Sequence, residues 1–202
     1  GAGKVRGRAR TGTMGGVTPK ENGMRIIAGT ARGRRLEPPP DRATRPTLDR
    51  VRESLFNILA PRLEGAVFAD LFAGTGANGL EALSRGAASA VFVESDGQML
   101  SLLRRNVSHC GFEDRAVLHR LTLPGGLSGL RGPFDLVFAD PPWRYEGYGA
   151  LLEALAASGV VRPGGWVVLE SGAKTAPPPD AAGGLEAFRR QRYGETLLSF
   201  YA

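Results

Sequence analysis

The segment AVFADLFAGTGANGLEALSR, residues 66–85, decides the fold class of this chain. Its apolar start, Ala66–Leu71, predicts a buried strand. The Gly-rich turn Gly74–Gly79 follows, and Leu80–Arg85 predicts a helix. A strand, a tight glycine turn and a helix in this order are typical of the first unit of a doubly wound α/β fold.

The chain beyond this segment alternates between strand-like and helix-like patterns. Apolar runs of strand length occur at Ala90–Glu94, Ala116–Leu121, Phe134–Ala139 and Gly165–Glu170. Helical periodicity is found in Gln98–Cys110 and Tyr148–Ala157. This alternation predicts a parallel sheet with helices on both faces. An antiparallel hairpin is expected to close the sheet, formed by Phe188–Tyr193 and Thr196–Tyr201.

The region before the segment predicts a small extension. Met24–Gly29 and Arg32–Leu36 have the pattern of two short strands in a hairpin, and Pro38–Pro40 is a stiff linker. A helix follows, with Thr47 as its N-cap and Pro61 at its end.

The composition fits one domain. The chain has 202 residues, of which 42% are apolar, and no apolar window is long enough to predict a membrane span. Residues 1–23 lack apolar periodicity and predict a disordered basic tail. We expect a single domain over residues 24–202, with a hairpin and linker extension at 24–46. One cysteine, Cys110, and two histidines predict no metal site and favour a reducing cytosol.

Charge is distributed unevenly along the chain. Residues 1–62 carry 14 basic and 5 acidic side chains, whereas residues 63–202 carry 12 basic and 15 acidic ones. A basic arm on a mildly acidic body is typical of proteins that bind a polyanion, most often nucleic acid. The candidate phosphate contacts lie in or after the predicted hairpin: Arg25, Arg32, Arg34, Arg35 and Arg45.

The Gly-rich turn indicates a nucleoside cofactor. Gly74, Gly76 and Gly79 spell G-x-G-x-x-G, in which Gly74 permits the tight turn and Gly76 the close approach of a ligand. Glu94 follows Gly76 by 18 residues, where a carboxylate can accept hydrogen bonds from both ribose hydroxyls. Asp70, at the strand tip, would repel a pyrophosphate and attract a cationic amino-acid group. S-adenosylmethionine (SAM) carries such a group and no phosphate, so Asp70 favours SAM over a dinucleotide.

A second motif, Asp140-Pro141-Pro142-Trp143, directly follows the strand Phe134–Ala139. The two prolines fix the backbone and leave its carbonyl groups as acceptors, while Asp140 adds an anionic acceptor. The indole of Trp143 offers a flat face on which a base can stack. Such an array suits an exocyclic amine, because two acceptors hold its N–H groups while its lone pair faces a methyl donor.

These motifs, with three others, resemble the RsmD-type methyltransferases, which modify guanine N2 in 16S ribosomal RNA. The resembling text covers almost everything from Met24 to Ala202 and includes MRIIAG at 24–29, RGR at 32–34, RPTLDRVRESLFNIL at 45–59, FAGTGANGLEALSRGA at 72–87 and DPPW at 140–143. The resemblance implies a Rossmann-like class I methyltransferase fold with seven strands, the last of them antiparallel, and an N-terminal hairpin that contacts RNA.

The resemblance also implies roles for single residues. Asp140, Pro141 and Trp143 would hold the target guanine. SAM would lie against Asp70, Phe72, Ala73, Gly74, Gly76, Glu94 and Ser95. The partner would be rRNA of the small subunit, met in the cytoplasm by a monomer. No metal is expected.

Smaller predictions concern other side chains. We expect Asp96 to cap the helix that follows it, and Arg52 to pair with Asp49 three residues earlier. Tyr145 and Tyr148 either border the target pocket or pack in the core.

Three other functions fit parts of the sequence. The Asp-Pro-Pro-aromatic motif also suits an amino-methyltransferase that acts on adenine or cytosine in DNA or RNA. The G-x-G-x-x-G turn suits an NAD-dependent oxidoreductase, which would leave Asp140–Trp143 without a role. An RNA-binding factor without catalytic activity is the third alternative.

Overall fold

The computed structural model of this protein describes residues 23–40, 46–142 and 144–202. Its helices are α1 Pro46–Leu63, α2 Ala77–Ser84, α3 Gly97–Cys110 and α4 Tyr148–Ser158, with short 3-10 turns at Glu113–Arg115 and Gly125–Gly129. Its strands are β1 Val67–Leu71, β2 Ser89–Glu94, β3 Ala116–Arg120, β4 Phe134–Ala139, β5 Val161–Gly172, β6 Ala181–Ala182, β7 Leu185–Tyr193 and β8 Thr196–Tyr201.

The strands form one sheet in the order β3-β2-β1-β4-β5-β8-β7-β6. The first five in this order are parallel, and β8 runs antiparallel to both β5 and β7. The strand order reverses between β1 and β4, which pair directly with Leu71 opposite Ala139. Ligands of open α/β sheets bind at such a switch point, outside the carboxyl ends of the strands.

Helices cover both faces of the sheet, as the alternating pattern predicted. The apolar residues of α1, α2 and α3 form one buried cluster with Phe68 of β1, and those of α4 form a second cluster with Ala69, its neighbour on that strand. Successive strand residues point to opposite faces, so β1 contributes to both clusters. The buried sheet fixes the carboxyl ends of β1, β2 and β4 relative to one another.

The predicted count of seven strands is wrong, because the described residues contain an eighth, β6. Gly183 and Gly184 adopt φ angles of 63° and 90°, and this turn folds Ala181–Ala182 back on β7. Such φ angles are readily available only to glycine. The strand β5 is also longer than predicted and begins at Val161, with a register shift against β4 near its start.

The N-terminal region confirms the hairpin and corrects the helix that follows it. Arg25 lies antiparallel to Arg35 in a single β-bridge rather than in two full strands. The helix α1 begins at Pro46, so the predicted cap Thr47 lies inside it. It continues past Pro61 to Leu63, because a missing N–H this close to the end removes little of the helical hydrogen bonding.

Some predictions concern residues outside the described part of the chain. These are the disordered tail, apart from Gly23, and the side chains of Arg45 and Trp143. Among the helices that the structure describes, none combines the length and the apolar character needed to cross a membrane.

Candidate active site

The Gly-rich loop connects β1 to α2 at the switch point. Phe72 adopts a φ of 57°, which is uncommon for a residue with a side chain, and Gly74 and Gly76 follow at 55° and 80°. The loop is tied to β2, because the Ala73 N–H donates to the Val93 carbonyl at 2.9 Å. The predicted tight turn is therefore present and is held against the neighbouring strand.

The three glycines of this loop differ in the space around their α-carbons. A Cβ on Gly76 would lie 2.1 Å from Leu103, and one on Gly79 would lie 2.2 Å from Phe92. At Gly79 packing against the Phe92 ring disfavours a side chain, and at Gly76 the φ of 80° and the nearby Leu103 do so; the predicted role of Gly76 in the approach of a ligand stays a prediction. A Cβ on Gly74 would meet only the tip of Met99, at 4.0 Å. Gly74 is thus the glycine of the loop with space beside it.

Asp70 lies under the loop at the end of β1. Its side chain is buried, and its Oδ2 accepts a hydrogen bond from the Gly79 N–H at 2.8 Å. Burial raises its pKa to about 8, and the negative charges of Asp140 and Glu94 act in the same direction. The carboxyl ends of β1, β2 and β4 thus bring Asp70, Glu94 and Asp140 into electrostatic contact; we call these three residues the acidic cluster.

Glu94 holds the backbone on both sides of the loop. Its Oε2 accepts from the Gly74 N–H at 2.9 Å, and its Oε1 accepts from the Asp96 N–H at 2.9 Å. Asp96 caps α3 as predicted, accepting from the Gln98 and Met99 N–H groups, each at 2.8 Å. Ser95, between the two acids, is exposed, and its carbonyl accepts from Arg120. Glu94, the residue predicted for the ribose, therefore lies directly beside the Gly-rich loop.

The Asp-Pro-Pro loop starts beside the Gly-rich loop. The Asp140 N–H donates to the Leu71 carbonyl at 3.4 Å, which joins the ends of β4 and β1. Asp140 is exposed and Pro141 is buried. The carbonyl of Pro142 accepts a hydrogen bond from the Tyr145 N–H at 2.8 Å, which ties the Asp-Pro-Pro loop to the residues before α4.

Aromatic rings connect the two loops. The ring of Tyr145 packs edge-on against the rings of Phe72 and Tyr148, with distances between ring centroids of 5.5 Å and 5.3 Å. Burial raises the pKa of Tyr148 to about 12, with the charge of Asp140 as a further cause. Both tyrosines line a cleft of about 510 Å³ whose other wall is Pro177, Pro178 and Pro179. Both tyrosines also pack with the apolar core, so the structure shows the packing interpretation directly, and their place at the target pocket stays a prediction.

The hairpin presents the predicted arginines to solvent. Arg25, Arg32, Arg34 and Arg35 are all exposed. The guanidinium of Arg34 also donates to the His109 carbonyl at 2.5 Å, near the end of α3. The Asp49–Arg52 pair is present at 3.1 Å, as predicted. Arg52 itself is buried and also donates to the Arg25 carbonyl, so it ties the hairpin to α1.

Comparison with known proteins now places this geometry in a family. A family profile described as "Conserved hypothetical protein 95" matches residues 24–202. Over 158 residues the chain is 35% identical to the ribosomal RNA small subunit methyltransferase D of Haemophilus influenzae, a match that covers 76% of this chain and 82% of that protein. The chain belongs to the family that this profile describes. The resemblance to RsmD-type methyltransferases is thereby confirmed.

Solved structures agree with the assignment. A hypothetical protein of Thermus thermophilus superposes with a TM-score of 0.71 at 35% identity, over 87% of this chain and 97% of that one. An RNA methyltransferase from Salinibacter ruber, solved with S-adenosyl-L-homocysteine, gives a TM-score of 0.57 at 16% identity over 82% of this chain and 92% of that one. The latter likeness concerns the fold alone and confirms the class I methyltransferase architecture.

Two buried polar residues of this family member were missed from the sequence. Glu81 on α2 accepts hydrogen bonds from the Ile27 and Ala28 N–H groups, at 2.9 and 3.0 Å. Asn106 on α3 bonds to the Gly-rich loop and to Glu37. Their one sequence signal is a polar residue among apolar neighbours on a helix. The partners come from segments 31 to 69 residues away, which periodicity does not reveal.

Proposed function

We propose that this protein transfers the methyl group of SAM to the exocyclic N2 amine of a guanine in 16S rRNA. The observation that carries the proposal is the pairing of β1 with β4, which brings the acidic cluster and the Asp-Pro-Pro loop to one edge of the sheet. That edge combines a negative site for a cationic nucleoside with acceptors for an amine.

The charge of the site favours SAM over a dinucleotide. The negative charges of Glu94 and Asp140 act on Asp70, and the sulfonium and ammonium groups of SAM would be attracted by these charges and would favour the ionised form of Asp70. The same charges repel the pyrophosphate of NAD. This argument weighs against an oxidoreductase although the G-x-G-x-x-G spacing fits one.

The residues present fit the cofactor. The open side of Gly74 admits it, with Phe72, Ala73 and Gly76 as the rest of the loop. Glu94 is placed to accept hydrogen bonds from ribose hydroxyls, and Ser95 lies exposed beside it. When bound, SAM supplies an electrophilic methyl group.

The protein's own groups prepare the amine. Asp140 and the Pro141 carbonyl accept its two N–H bonds, which directs the nitrogen lone pair away from the loop and toward the cofactor side. Trp143, by its place in the motif, stacks on the guanine ring. The rings of Phe72 and Tyr145 exclude water between the two loops. The proton that the amine loses passes to Asp140 or to water.

RNA as the substrate follows from the family and from the hairpin. The exposed arginines of the extension suit phosphate groups, and a base within folded RNA must be splayed out to reach the Asp-Pro-Pro loop. Arg45 belongs to the same set by its position in the sequence. We further propose that residues 24–202 form one methyltransferase domain, which acts as a monomer in the cytoplasm.

The test is transfer of tritium from labelled SAM into 16S rRNA, compared with duplex DNA. We expect label in the rRNA and N2-methylguanine after its digestion. Asp140→Ala should abolish transfer while SAM binding, measured by calorimetry, stays near that of the parent protein. The matched control is Asp114→Ala, an exposed acid beside the opposite end of β3, which should leave both unchanged. Label in DNA alone contradicts the proposal, and loss of SAM binding in Asp140→Ala contradicts the role of Asp140.

A further inference from the structure

Asn106 is a buried side chain that connects two parts of the protein with different proposed ligands. It lies on α3 with 2% of its surface exposed. Its amide NH₂ donates to the Thr75 carbonyl of the Gly-rich loop at 3.0 Å and to the Glu37 carbonyl at 3.2 Å. Its Oδ1 accepts from the Glu37 N–H at 2.7 Å. One amide group therefore bonds both the loop and the N-terminal extension.

On the loop side of this connection, the Thr75 peptide is held by groups outside the loop. Thr75 lies between Gly74 and Gly76, whose positive φ angles belong to the most permissive residue type. Its carbonyl is held by Asn106, and its hydroxyl lies 3.3 Å from the sulfur of Met24 in the extension. The orientation of the Thr75 peptide thus depends on groups outside the loop.

The N-terminal extension is also hydrogen-bonded to the helices α2 and α3. Glu81 of α2 accepts from the backbone of Ile27 and Ala28, and the Ser84 hydroxyl on that helix accepts from the Ala31 N–H at 2.9 Å. Arg34 bonds the His109 carbonyl one turn after Asn106 on α3. A displacement of the extension would therefore lengthen or break the hydrogen bonds that Asn106 makes.

We propose that Asn106 is a positioning residue that couples the two sites, so that RNA bound on the extension strengthens cofactor binding at the Gly-rich loop, and the cofactor strengthens RNA binding. This inference rests on the proposed function, which assigns RNA to the extension and SAM to the loop. The coupling acts through the packing of the N-terminal extension against the Gly-rich loop and α3. Each ligand favours the arrangement in which loop and extension both bond Asn106, and coupling of this kind is reciprocal.

The experiment measures the coupling itself. S-adenosylhomocysteine, which has no methyl group to transfer, is titrated into the full chain by calorimetry with and without saturating 16S rRNA transcript. We expect its Kd to fall about fivefold or more when RNA is present, within the usual range of such couplings. Asn106→Asp keeps the acceptor for the Glu37 N–H but places an oxygen opposite the carbonyls of Thr75 and Glu37. In this variant the ratio of the two Kd values should approach one.

The matched control is the neighbouring residue on α3. Arg105 also bonds the extension, through an exposed ion pair with the Glu37 side chain at 2.7 Å, but this pair does not include the Thr75 carbonyl. Arg105→Ala should keep the parent ratio. If Asn106→Asp does not fold, as judged by circular dichroism, Asn106→Ser is used with the same expectation.

The outcomes separate this inference from the proposed function. A ratio of one in the parent protein, with both ligands bound, overturns the coupling and leaves the proposed function standing. A parent-like ratio in the Asn106 variant, even with a lower Tm, also overturns it, because the residue would then be purely structural. Failure of the parent protein to bind the cofactor product or the RNA overturns the proposed function, and the coupling with it.

Discussion

Binding of SAM should release a proton from Asp70. In the free protein this buried carboxyl has its pKa raised to about 8, chiefly by burial, with Asp140 and Glu94 contributing. At pH 6.5 a group with that pKa is about 97% protonated. A cation placed beside the acidic cluster stabilises the ionised form, lowers the pKa and displaces the proton. The structure therefore predicts close to one proton released per cofactor bound at pH 6.5.

The same linkage fixes the sign of the pH dependence. Because binding favours ionised Asp70, affinity falls as pH is lowered below about 8. The loss is up to tenfold in the association constant per pH unit, and it ends where pH reaches the pKa of Asp70 in the complex. An oxidoreductase that bound the pyrophosphate of NAD here would show the opposite trend, since an anion favours the protonated acid.

Calorimetry measures the released protons directly. The heat of SAM binding at pH 6.5 is recorded in buffers of different ionisation enthalpy, and its slope gives the number of protons. This pH lies below the pKa of an amino group, about 7.7–8.0, so the ammonium of SAM stays charged throughout. Asp70→Asn has no proton to release and should give a slope near zero. An equal slope in the parent protein and Asp70→Asn, or no release in either, would refute the reasoning.

Three further predictions concern stability and RNA binding. Gly79→Ala places a methyl group 2.2 Å from Phe92 and should lower the free energy of unfolding in urea by about 1–3 kcal/mol. Glu81→Ala removes a fully buried carboxylate that lies 3.7 Å from the buried Arg52, and should cost about 3–5 kcal/mol in the same assay. Replacing three exposed arginines by alanine should weaken rRNA binding and reduce the dependence of log K on log salt by about 0.7 per lost phosphate contact: Arg32, Arg34 and Arg35.

Each of these has a control in the same chain. Gly125→Ala meets no atom within 4 Å and should change the unfolding free energy little; an equal loss at both glycines would contradict the packing argument. Glu37→Ala breaks only an exposed ion pair, so a loss as large as that of Glu81→Ala would show that burial does not set the cost. For the arginines, weaker binding with an unchanged salt slope would mean that they do not contact phosphates.

The parts of the fold that the sequence predicts well are those whose signal is local. The strand Phe134–Ala139 was predicted to the residue, because a run that is apolar except for Asp135 ends at the polar Asp140. Asp96 was predicted as a cap because a short carboxylate precedes a helical pattern. By contrast, β5 begins four residues before its predicted start, across Pro163 and Gly164. Pairing with β4 overrides the low strand propensity of those two residues.

In the candidate site too, features with a local sequence signal were predicted and features that depend on distant segments were not. Motif spacing located both loops, whereas the pairing of Leu71 with Ala139, which places the two loops side by side, is shown by the structure. The polar connections of Glu81 and Asn106 were not predictable, since each partner comes from a distant segment whose position is set only when the sheet is complete. Gly76 shows the same limit: the motif predicted a ligand beside it, but the side chain that lies closest to the position of a Cβ there, Leu103, belongs to another helix.

The buried Asp70 opposes the stability of the free protein, and we expect the acidic cluster to select the cofactor. Because the pKa of Asp70 is about 8 in the folded chain and near its ordinary value of 3.8 when unfolded, the free protein loses stability as pH rises between these values. A cation at the cluster offsets that loss, whereas a phosphate increases it. A neutral residue at the end of β1 would remove the cost but leave a Gly-rich turn equally open to dinucleotides. We therefore expect the unfavourable burial of Asp70 to decide the choice between the two cofactors.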